Sequence, residues 1–140
     1  MPDAPTPDPS AAAPPGPDAP LELLPGTADL LVLQALVWGP MHGFAVASWV
    51  RRRTEGVLTL EDAPLYKALH RLERQGHVVA EWGLSEHNRR ARYYQLTPSG
   101  RSRLGAEAAA WRRYAQAVFR VLDPAPGGAP ALAPDPALSA

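Results

Sequence analysis

The sequence predicts a mainly helical α+β fold, with three helices, a small β-hairpin and a long last helix. Two observations indicate the order of these elements: apolar residues recur at helical spacing in three segments before residue 76, and two short β-prone segments follow them. A third observation, an apolar stripe with heptad spacing between residues 104 and 122, predicts the last helix. Together they predict a domain over residues 21–96 that continues into a helix over residues 97–123.

Proline is concentrated at the two ends of the chain. Eight of the 17 prolines lie in residues 1–20, and five lie between residues 124 and 136, among many Ala and Asp residues. Segments of this composition bury too little apolar surface to offset the entropy that is lost on ordering. We therefore expect disordered tails at residues 1–20 and 124–140, with one folded unit between them.

Residues 27–38 and 42–53 are the first two predicted helices. Thr27 is the expected N-cap of the first helix, and nearly every position in it is apolar, which predicts packing on more than one side. The second helix is expected to begin with His42 as a capping or packing residue. Its predicted inner stripe consists of Phe44, Val46, Ala47 and Val50.

Residues 62–75 form the third predicted helix, with Asp62 as the expected N-cap and Pro64 in the first turn. Leucines at positions i, i+4 and i+7 make its buried face, which consists of Leu65, Leu69 and Leu72. The opposite face carries hydrogen-bond donors, namely Tyr66, Lys67, His70, Arg71 and Arg74. The pattern therefore predicts a helix that is anchored on one side and offers donors on the other.

The predicted hairpin pairs residues 77–84 with residues 91–96 around a basic, polar tip, and the last helix follows with Thr97 as its cap. The apolar stripe on that helix has spacings of 4, 3, 4, 3 and 4 residues. Because one small domain can hardly cover so long a stripe, the sequence predicts a homodimer that forms through this helix. The expected interface residues are Leu104, Ala108, Trp111, Ala115, Val118 and Leu122.

Charge is unevenly distributed although the formal net charge of the chain is zero. All 14 basic residues but only eight of the 14 acidic residues lie between Thr27 and Leu122, which gives the folded unit a net charge of +6. Such a unit suits a polyanionic partner. Helices followed by a two-stranded hairpin are typical of a winged helix-turn-helix, in which one helix enters the major groove of DNA and the hairpin contacts neighbouring phosphates or the minor groove. We therefore predict contacts with double-stranded DNA from Tyr66, Lys67, His70, Arg71, Arg89, Arg90 and Arg92.

Several other functional classes find no support in the sequence. The chain has no Cys, which excludes disulfides and thiolate metal sites, and the spacing of its four His residues matches no common metal-ligand motif. No Gly-rich phosphate loop or nucleophile motif is present, so neither a cofactor nor enzymatic activity is expected. No apolar run is long enough to span a membrane, and the start of the chain lacks a signal-peptide pattern, so a cytoplasmic protein is expected.

Four segments of the chain, taken in order, resemble one known family. LLPGTADLLVLQAL, GPMHGFAVA, LYKALHRLERQGHV and NRRARYYQLTPSGR are similar to segments of the PadR family of bacterial transcriptional regulators, over about residues 23–122. The resemblance implies a winged helix with a C-terminal dimerisation helix, in the subgroup with a short, single last helix, and a repressor. It also implies that Trp111 matches a position where some relatives stack flat aromatic ligands, which makes Trp111 a candidate contact for a small aromatic effector.

Two other interpretations stay open at this point. The first is a winged-helix protein-interaction module, whose basic helix would bind an acidic partner and show no salt-sensitive affinity for DNA. The second is a relative of the MarR-type winged-helix dimers, although those usually carry additional N-terminal helices where this chain is rich in proline. A dimeric DNA-binding regulator predicts a two-fold symmetric, palindromic operator, which neither the first alternative nor an enzyme would need. The four tryptophans, Trp38, Trp49, Trp82 and Trp111, are expected to be core or interface residues.

Overall fold

Residues 19–123, which the computed structural model describes, form four α-helices and a three-stranded antiparallel sheet. The predicted tails at residues 1–20 and 124–140 lie outside this range, apart from Ala19 and Pro20. The helices are α1 (Thr27–Ala35), α2 (Gly43–Arg53), α3 (Asp62–Arg74) and α4 (Pro98–Leu122). The strands are β1 (Met41–His42), β2 (Val78–Leu84) and β3 (Arg90–Leu96), and a short 3₁₀ turn (Leu36–Trp38) follows α1 directly. The predicted order of helices, hairpin and long last helix is confirmed.

The core lies where α1, α2 and α3 meet, and it is closed by the base of the hairpin and the first turns of α4. The larger buried side chains come from all of these elements and from the segment before α3, and they are Val32, Leu33, Leu36, Val46, Val50, Leu60, Leu65, Leu69, Leu72, Val78, Tyr94, Leu96 and Leu104. Complete burial of an aliphatic side chain stabilises a fold by about 1.5–3 kcal/mol. The three predicted leucines of α3 are among these residues, so its buried face is confirmed and its opposite face points away from the core.

The helix starts differ from the predicted caps at α1 and α3. Gly26, in the left-handed conformation with φ 84°, precedes Thr27, whose hydroxyl is buried without a hydrogen-bond partner among the described residues. Glu61, in an extended conformation, precedes Asp62. Thr27 and Asp62, the predicted caps, are thus the first helical residues of α1 and α3. A short polar side chain suits the cap and the first helical position alike, so the sequence does not distinguish the two. At α2 the prediction is confirmed, since Nδ1 of His42 accepts a hydrogen bond of 3.1 Å from the backbone N–H three residues later.

Phe44 does not belong to the inner stripe of α2, which corrects the prediction. Val46 and Val50 are fully buried, whereas Phe44 is 77% exposed. Phe44 lies two residues before Val46, which is about 200° around a helix with 3.6 residues per turn, so the two side chains point to opposite sides. The aromatic ring therefore projects from the start of α2 into solvent.

The sheet contains one strand more than the predicted hairpin. β2 and β3 pair antiparallel over their whole length, and β1 pairs with the other edge of β3 through Met41↔Tyr94 and His42↔Tyr93. β1 has only two residues, and so short a segment carries no alternation from which a strand can be predicted. We refer to β2, β3 and the turn 85–89 between them as the wing.

The long last helix begins as predicted. The Thr97 hydroxyl accepts a hydrogen bond of 3.1 Å from the Gly100 backbone N–H, and Pro98 occupies the first helical position. Leu104 is only 8% exposed and belongs to the core of the domain, so it is not part of the free apolar stripe, which corrects the prediction. The physical reason is that the first two turns of α4 still pack against α1 and β3. Among the described residues, no helix is both long enough and apolar enough to cross a membrane.

Candidate nucleic-acid interface

The face of α3 that points away from the core carries most of the predicted contact residues. We call Tyr66, Lys67, His70, Arg71 and Arg74 the outer face of α3. Tyr66, Lys67, His70 and Arg74 are exposed, and Arg71 is half-buried. A shallow depression of about 520 Å³ runs between the last four of these side chains. Arg74, which is absent from the predicted DNA contacts, thus extends the donor surface by one more turn towards the end of the helix.

Arg71 differs from its neighbours because a carboxylate of the same chain holds it. Its Nε donates a hydrogen bond of 3.1 Å to Oδ2 of Asp29 on α1, and its Nη2 donates to the other carboxylate oxygen. The Asp29 side chain is only 12% exposed, against 42% for Arg71. The hydrogen bond and the charge of Asp29 raise the pKa of Arg71 above its ordinary value. Within residues 19–123, the two Nη1 hydrogens and the second Nη2 hydrogen of Arg71 stay available for a partner outside the chain.

The three predicted wing arginines have three different surroundings. Nη2 of Arg92 donates a hydrogen bond of 2.7 Å to Glu73 of α3, which joins the wing to that helix. The guanidinium of Arg90 lies over the ring of Trp82, 4.6 Å from its centre. Arg89 lies in the turn, where its backbone N–H donates 3.3 Å to the Ser85 hydroxyl, and no hydrogen-bond partner is recorded for its guanidinium within residues 19–123.

These two sets of residues border one groove, which we call the wing groove. It has a volume of about 720 Å³ and lies between α3, the wing and the start of α2. Its lining residues are His42, Gly43, Phe44, Tyr66, His70, Trp82, Ser85, His87, Arg89, Arg90, Ala91, Arg92 and Tyr94. The structure therefore brings together Tyr66, His70 and the three wing arginines, as the sequence predicts, while Lys67 and Arg71 lie on the adjoining side of α3.

Close packing fixes the geometry of the groove floor. A Cβ atom added to Gly43 would lie 3.1 Å from the Tyr66 hydroxyl and 3.2 Å from the ring, so the start of α2 touches α3 at this position. The ring of His42 also lies edge-on to Tyr93 of β3, with 5.4 Å between the ring centres. The start of α2, the outer face of α3 and the wing consequently form one continuous surface.

Two aromatic residues of this surface were not among the predicted contacts. Phe44 is expected in the core and Trp82 in the core or an interface, but both are exposed and border the wing groove. Trp82 lies in the second half of β2, where the hairpin extends beyond the small core, and the sequence does not show how far that core reaches. Phe44 can be recognised only by comparing its helical phase with that of Val46 and Val50.

A second exposed surface lies on α4. We call Ala108, Trp111, Ala115, Val118 and Leu122 the seam. Trp111, Val118 and Leu122 are exposed, and the two alanines are half-buried. Grooves of about 590 Å³ and 490 Å³ flank Trp111, and Leu30 of α1 borders both of them. Tyr114 packs edge-on against Trp111, with 6.4 Å between the ring centres. The seam thus presents apolar side chains along one side of α4, with Trp111 as the largest of them.

Metal binding has no support in the described part of the chain. Within residues 19–123, no group of three or more His, Asp or Glu side chains is arranged to hold a metal ion. His42 acts as a helix cap, and Nδ1 of His77 lies 3.0 Å from the Ser99 hydroxyl. Both histidines therefore have local structural partners.

Comparison with known proteins identifies the family. The model of the transcriptional regulator PadR-like family matches residues 32–106, which is more than half of the chain. A PadR family transcription regulator from Clostridium difficile R20291 is 27% identical, with a TM-score of 0.61 over 70% of this chain and all of that one. A PadR family regulator from Eggerthella lenta is 28% identical, with a TM-score of 0.59 over 70% of this chain and 83% of that one.

A more distant structure shares the fold alone. It is Bacillus subtilis PadR in complex with operator DNA, which is 18% identical with a TM-score of 0.53. The alignment covers 59% of this chain and 46% of that chain. The fold, the order of its elements and the match over residues 32–106 all agree with the resemblance seen in the sequence. The chain belongs to the PadR-like family, whose members are transcriptional regulators and not enzymes.

Proposed function

We propose that the protein is a sequence-specific repressor that binds double-stranded DNA as a homodimer on a palindromic operator. The observation that carries this proposal is the wing groove, where the outer face of α3 and the wing arginines border one exposed surface. A recognition helix beside a cationic two-stranded wing is the arrangement that winged helix-turn-helix proteins use on DNA. Bacillus subtilis PadR, which has the same fold, has been crystallised with its operator DNA, and this supports the same type of partner here.

The outer face of α3 is the proposed reader of the major groove. Its leucine stripe is fully buried, so the helix is fixed while its donors point outward. Lys67 and His70 are exposed and are assigned to base edges or nearby phosphates, and Arg71 contributes through its free Nη1. Tyr66 lies in the second turn of α3, next to the start of α2, where its hydroxyl suits a phosphate oxygen.

The wing arginines are the proposed contacts to the neighbouring backbone or minor groove. Arg89 and Arg90 lie at the tip and carry no carboxylate partner among the described residues. Arg92 is joined to Glu73, so part of its charge is already balanced and its contribution to DNA affinity is expected to be smaller. The wing therefore supplies mainly sequence-independent affinity, while α3 supplies sequence preference.

The seam on α4 is the proposed dimer interface. Beyond Leu104, the apolar positions of α4 lie outside the core of the domain and require another apolar surface to cover them. A second copy of the chain provides the same stripe in a two-fold arrangement, which is the commonest form of homodimer. Two-fold symmetry of the protein calls for two-fold symmetry of the operator.

Repression and effector binding complete the proposal. A dimer that covers a promoter excludes other proteins from it, which is the simplest regulatory effect of such a site. Trp111 lies between two grooves in the seam, where it can stack on a flat aromatic effector. A ligand bound at this position would change the distance between the DNA-binding surfaces of the two subunits.

The experiment begins with selection of duplexes from a random library by the full-length protein, followed by fluorescence anisotropy on a selected and a random duplex over a salt series. Each neutralised phosphate contributes a slope of about −0.9 to the dependence of log K on log salt. We expect Arg89→Ala to weaken binding to both duplexes and to reduce the slope by about one per contact, or about two for a dimer. Lys67→Ala is expected to cost about 1–3 kcal/mol per half-site on the selected duplex and less on the random one.

The controls separate the two proposed roles. Arg101→Ala, on an exposed position of α4 outside both the seam and the wing groove, should leave both affinities near those of the parent protein. Repression is tested with a reporter gene behind the selected duplex, where expression should fall when the protein is present. The proposal is wrong if no variant changes DNA affinity and the affinity of the parent protein for DNA does not depend on salt. The protein is then a winged-helix protein-interaction module.

A further inference from the structure

The face of the wing that points towards α3 is buried at the base of the hairpin and exposed near its tip. Successive residue pairs of the antiparallel ladder alternate between the two faces of the hairpin. The pairs on this face are Val78↔Leu96, Ala80↔Tyr94, Trp82↔Arg92 and Leu84↔Arg90. At the base, Val78 and Leu96 are buried in the core, whereas Trp82 near the tip is 61% exposed. The core-facing side of the hairpin thus continues outward as an exposed indole beside two arginines.

The ladder places both arginines within reach of the indole. Arg92 lies directly opposite Trp82, but its guanidinium is held by Glu73 at 2.7 Å and lies 5.8 Å from the ring centre of Tyr94. Arg90 is the diagonal neighbour, a position from which a long side chain can reach across the strands. Its guanidinium lies 4.6 Å from the centre of the Trp82 ring, well within the range of a cation–π interaction.

The three wing arginines therefore differ in what they can offer to an anion. Arg89 is charged, but no recorded side-chain hydrogen bond within the described chain fixes its guanidinium. Arg92 is fixed, but by a carboxylate that balances its charge. Arg90 is oriented by an aromatic ring that does not neutralise it, and within residues 19–123 it has no carboxylate partner and its N–H donors stay free. Of the three wing arginines, Arg90 alone combines these two properties.

We propose that Trp82 is a positioning residue for DNA binding. Its ring orients the Arg90 guanidinium so that this group can contact the DNA backbone or enter the minor groove. This role rests on the proposed function. It is indirect, since Trp82 affects DNA binding by orienting Arg90. A free arginine loses considerable rotamer freedom when it is fixed in a complex. Because the stack fixes Arg90 in the free protein, that entropy loss no longer opposes binding.

A double-mutant cycle on the selected duplex tests this role. Trp82→Leu removes the ring and is expected to weaken binding about two- to fivefold per half-site, the equivalent of an exposed cation–π pair. The same substitution in an Arg90→Ala background should have no further effect, because no guanidinium is left to position. Trp82→Phe, with a smaller ring, should recover part of the affinity, and Val79→Ala on the opposite face of β2 is the matched control.

A second readout concerns the free protein. In its NMR spectrum the side-chain protons of Arg90 should be shifted upfield by the indole ring, and those of Arg89 should not. Trp82→Leu should abolish the Arg90 shift without changing the backbone spectrum of α3. Additive effects in the cycle, or unshifted Arg90 protons in the parent protein, would overturn the inference.

The two proposals fail in different ways. If the parent protein has no affinity for DNA, the proposed function fails and this inference fails with it, whatever the NMR spectrum shows. If the parent protein binds DNA and Arg90→Ala weakens binding while Trp82→Leu does not, the proposed function stands and only the positioning role is overturned.

Discussion

Arg71 of α3 and Asp29 of α1 form a two-pronged ion pair across 42 residues of sequence, with 3.1 Å between Nε and Oδ2. The carboxylate is almost buried, and the guanidinium is partly open to solvent. The pair fixes the outer face of α3 to the helix that borders the grooves beside Trp111. This ion pair therefore joins α3 to the helix that lies beside the seam.

The first prediction concerns the stability that this pair provides. Asp29→Asn should lower the free energy of unfolding by about 1 kcal/mol, since the pair is charge-assisted and bidentate but partly solvated. Urea denaturation followed by circular dichroism measures the change. Glu107→Gln, which breaks the half-buried i,i+4 ion pair of Glu107 with Arg103 within α4, is the control and should change stability by less than about 0.5 kcal/mol. Equal effects of the two substitutions would argue against a special role for Asp29.

The second prediction concerns two glycines of α4. A Cβ at Gly100 would clash with the carbonyl oxygen of His77, whereas a Cβ at Gly105 would meet nothing within 4 Å. Gly100→Ala should therefore destabilise the protein by at least about 1–3 kcal/mol, because backbone has to move. Gly105→Ala should stabilise it by about 0.5–1 kcal/mol through helix propensity. Thermal unfolding of both variants gives the comparison, and a stable Gly100→Ala protein would contradict the close approach of α4 to the backbone of His77.

The third prediction concerns the seam. The protein should sediment as a dimer at tens of micromolar, and Val118→Asp should shift it towards the monomer because a charge in an apolar interface is costly. Operator affinity should fall in parallel, since each half-site alone is held weakly. Gln116→Asp introduces a charge on the opposite side of the same helix and should leave the dimer intact. A parent protein that sediments as a monomer would exclude the seam as an interface.

The fourth prediction concerns the operator. Hydroxyl-radical footprinting on a selected duplex should show two symmetric protected patches, with half-site centres about 10–10.5 base pairs apart or a multiple of this spacing. The spacing follows from placing two recognition helices in successive major grooves on one side of the duplex. A single asymmetric patch would be incompatible with a two-fold dimer.

The fifth prediction concerns the grooves beside Trp111. A flat aromatic cation such as ethidium should bind the DNA-free protein and quench its tryptophan fluorescence, because the indole can stack on the planar ligand. Trp111→Leu should weaken binding about two- to tenfold, which corresponds to the contribution of an aromatic pair. Trp82→Leu removes a remote exposed indole and should leave the affinity unchanged. Equal affinities of the Trp111→Leu protein and its parent would exclude stacking at this position.

The periodic parts of the fold can be predicted from the sequence. Leu65, Leu69 and Leu72 repeat with the period of a helix, and all three are buried. The Thr97-Pro98 start of α4 follows from cap chemistry that is entirely local. Both depend on residues within about one or two helical turns of each other, so a single stretch of sequence contains the whole signal.

Features that depend on distant residues escape such reasoning. The partner of Arg71 lies 42 residues away, and nothing near Arg71 in the sequence indicates Asp29. Strand β1 has two residues and is defined only by its pairing with β3. Trp82 is exposed because the hairpin extends beyond the small core, and the extent of a core follows from the assembled fold. The DNA contacts and the dimer interface stay predictions.

The pairing of β1 with β3 restricts where the wing can vary in length. Because both edges of β3 are hydrogen-bonded near its base, an inserted residue there would slip the ladder and displace His42, the cap of α2. The turn 85–89 has no such second neighbour, and Asn88 there already adopts a positive φ of 57°. Lengthening or shortening the hairpin is consequently tolerated only at its tip. A lineage of such proteins can thus change how far the wing extends from the domain by altering a few residues of one turn, with the helical body left as it is.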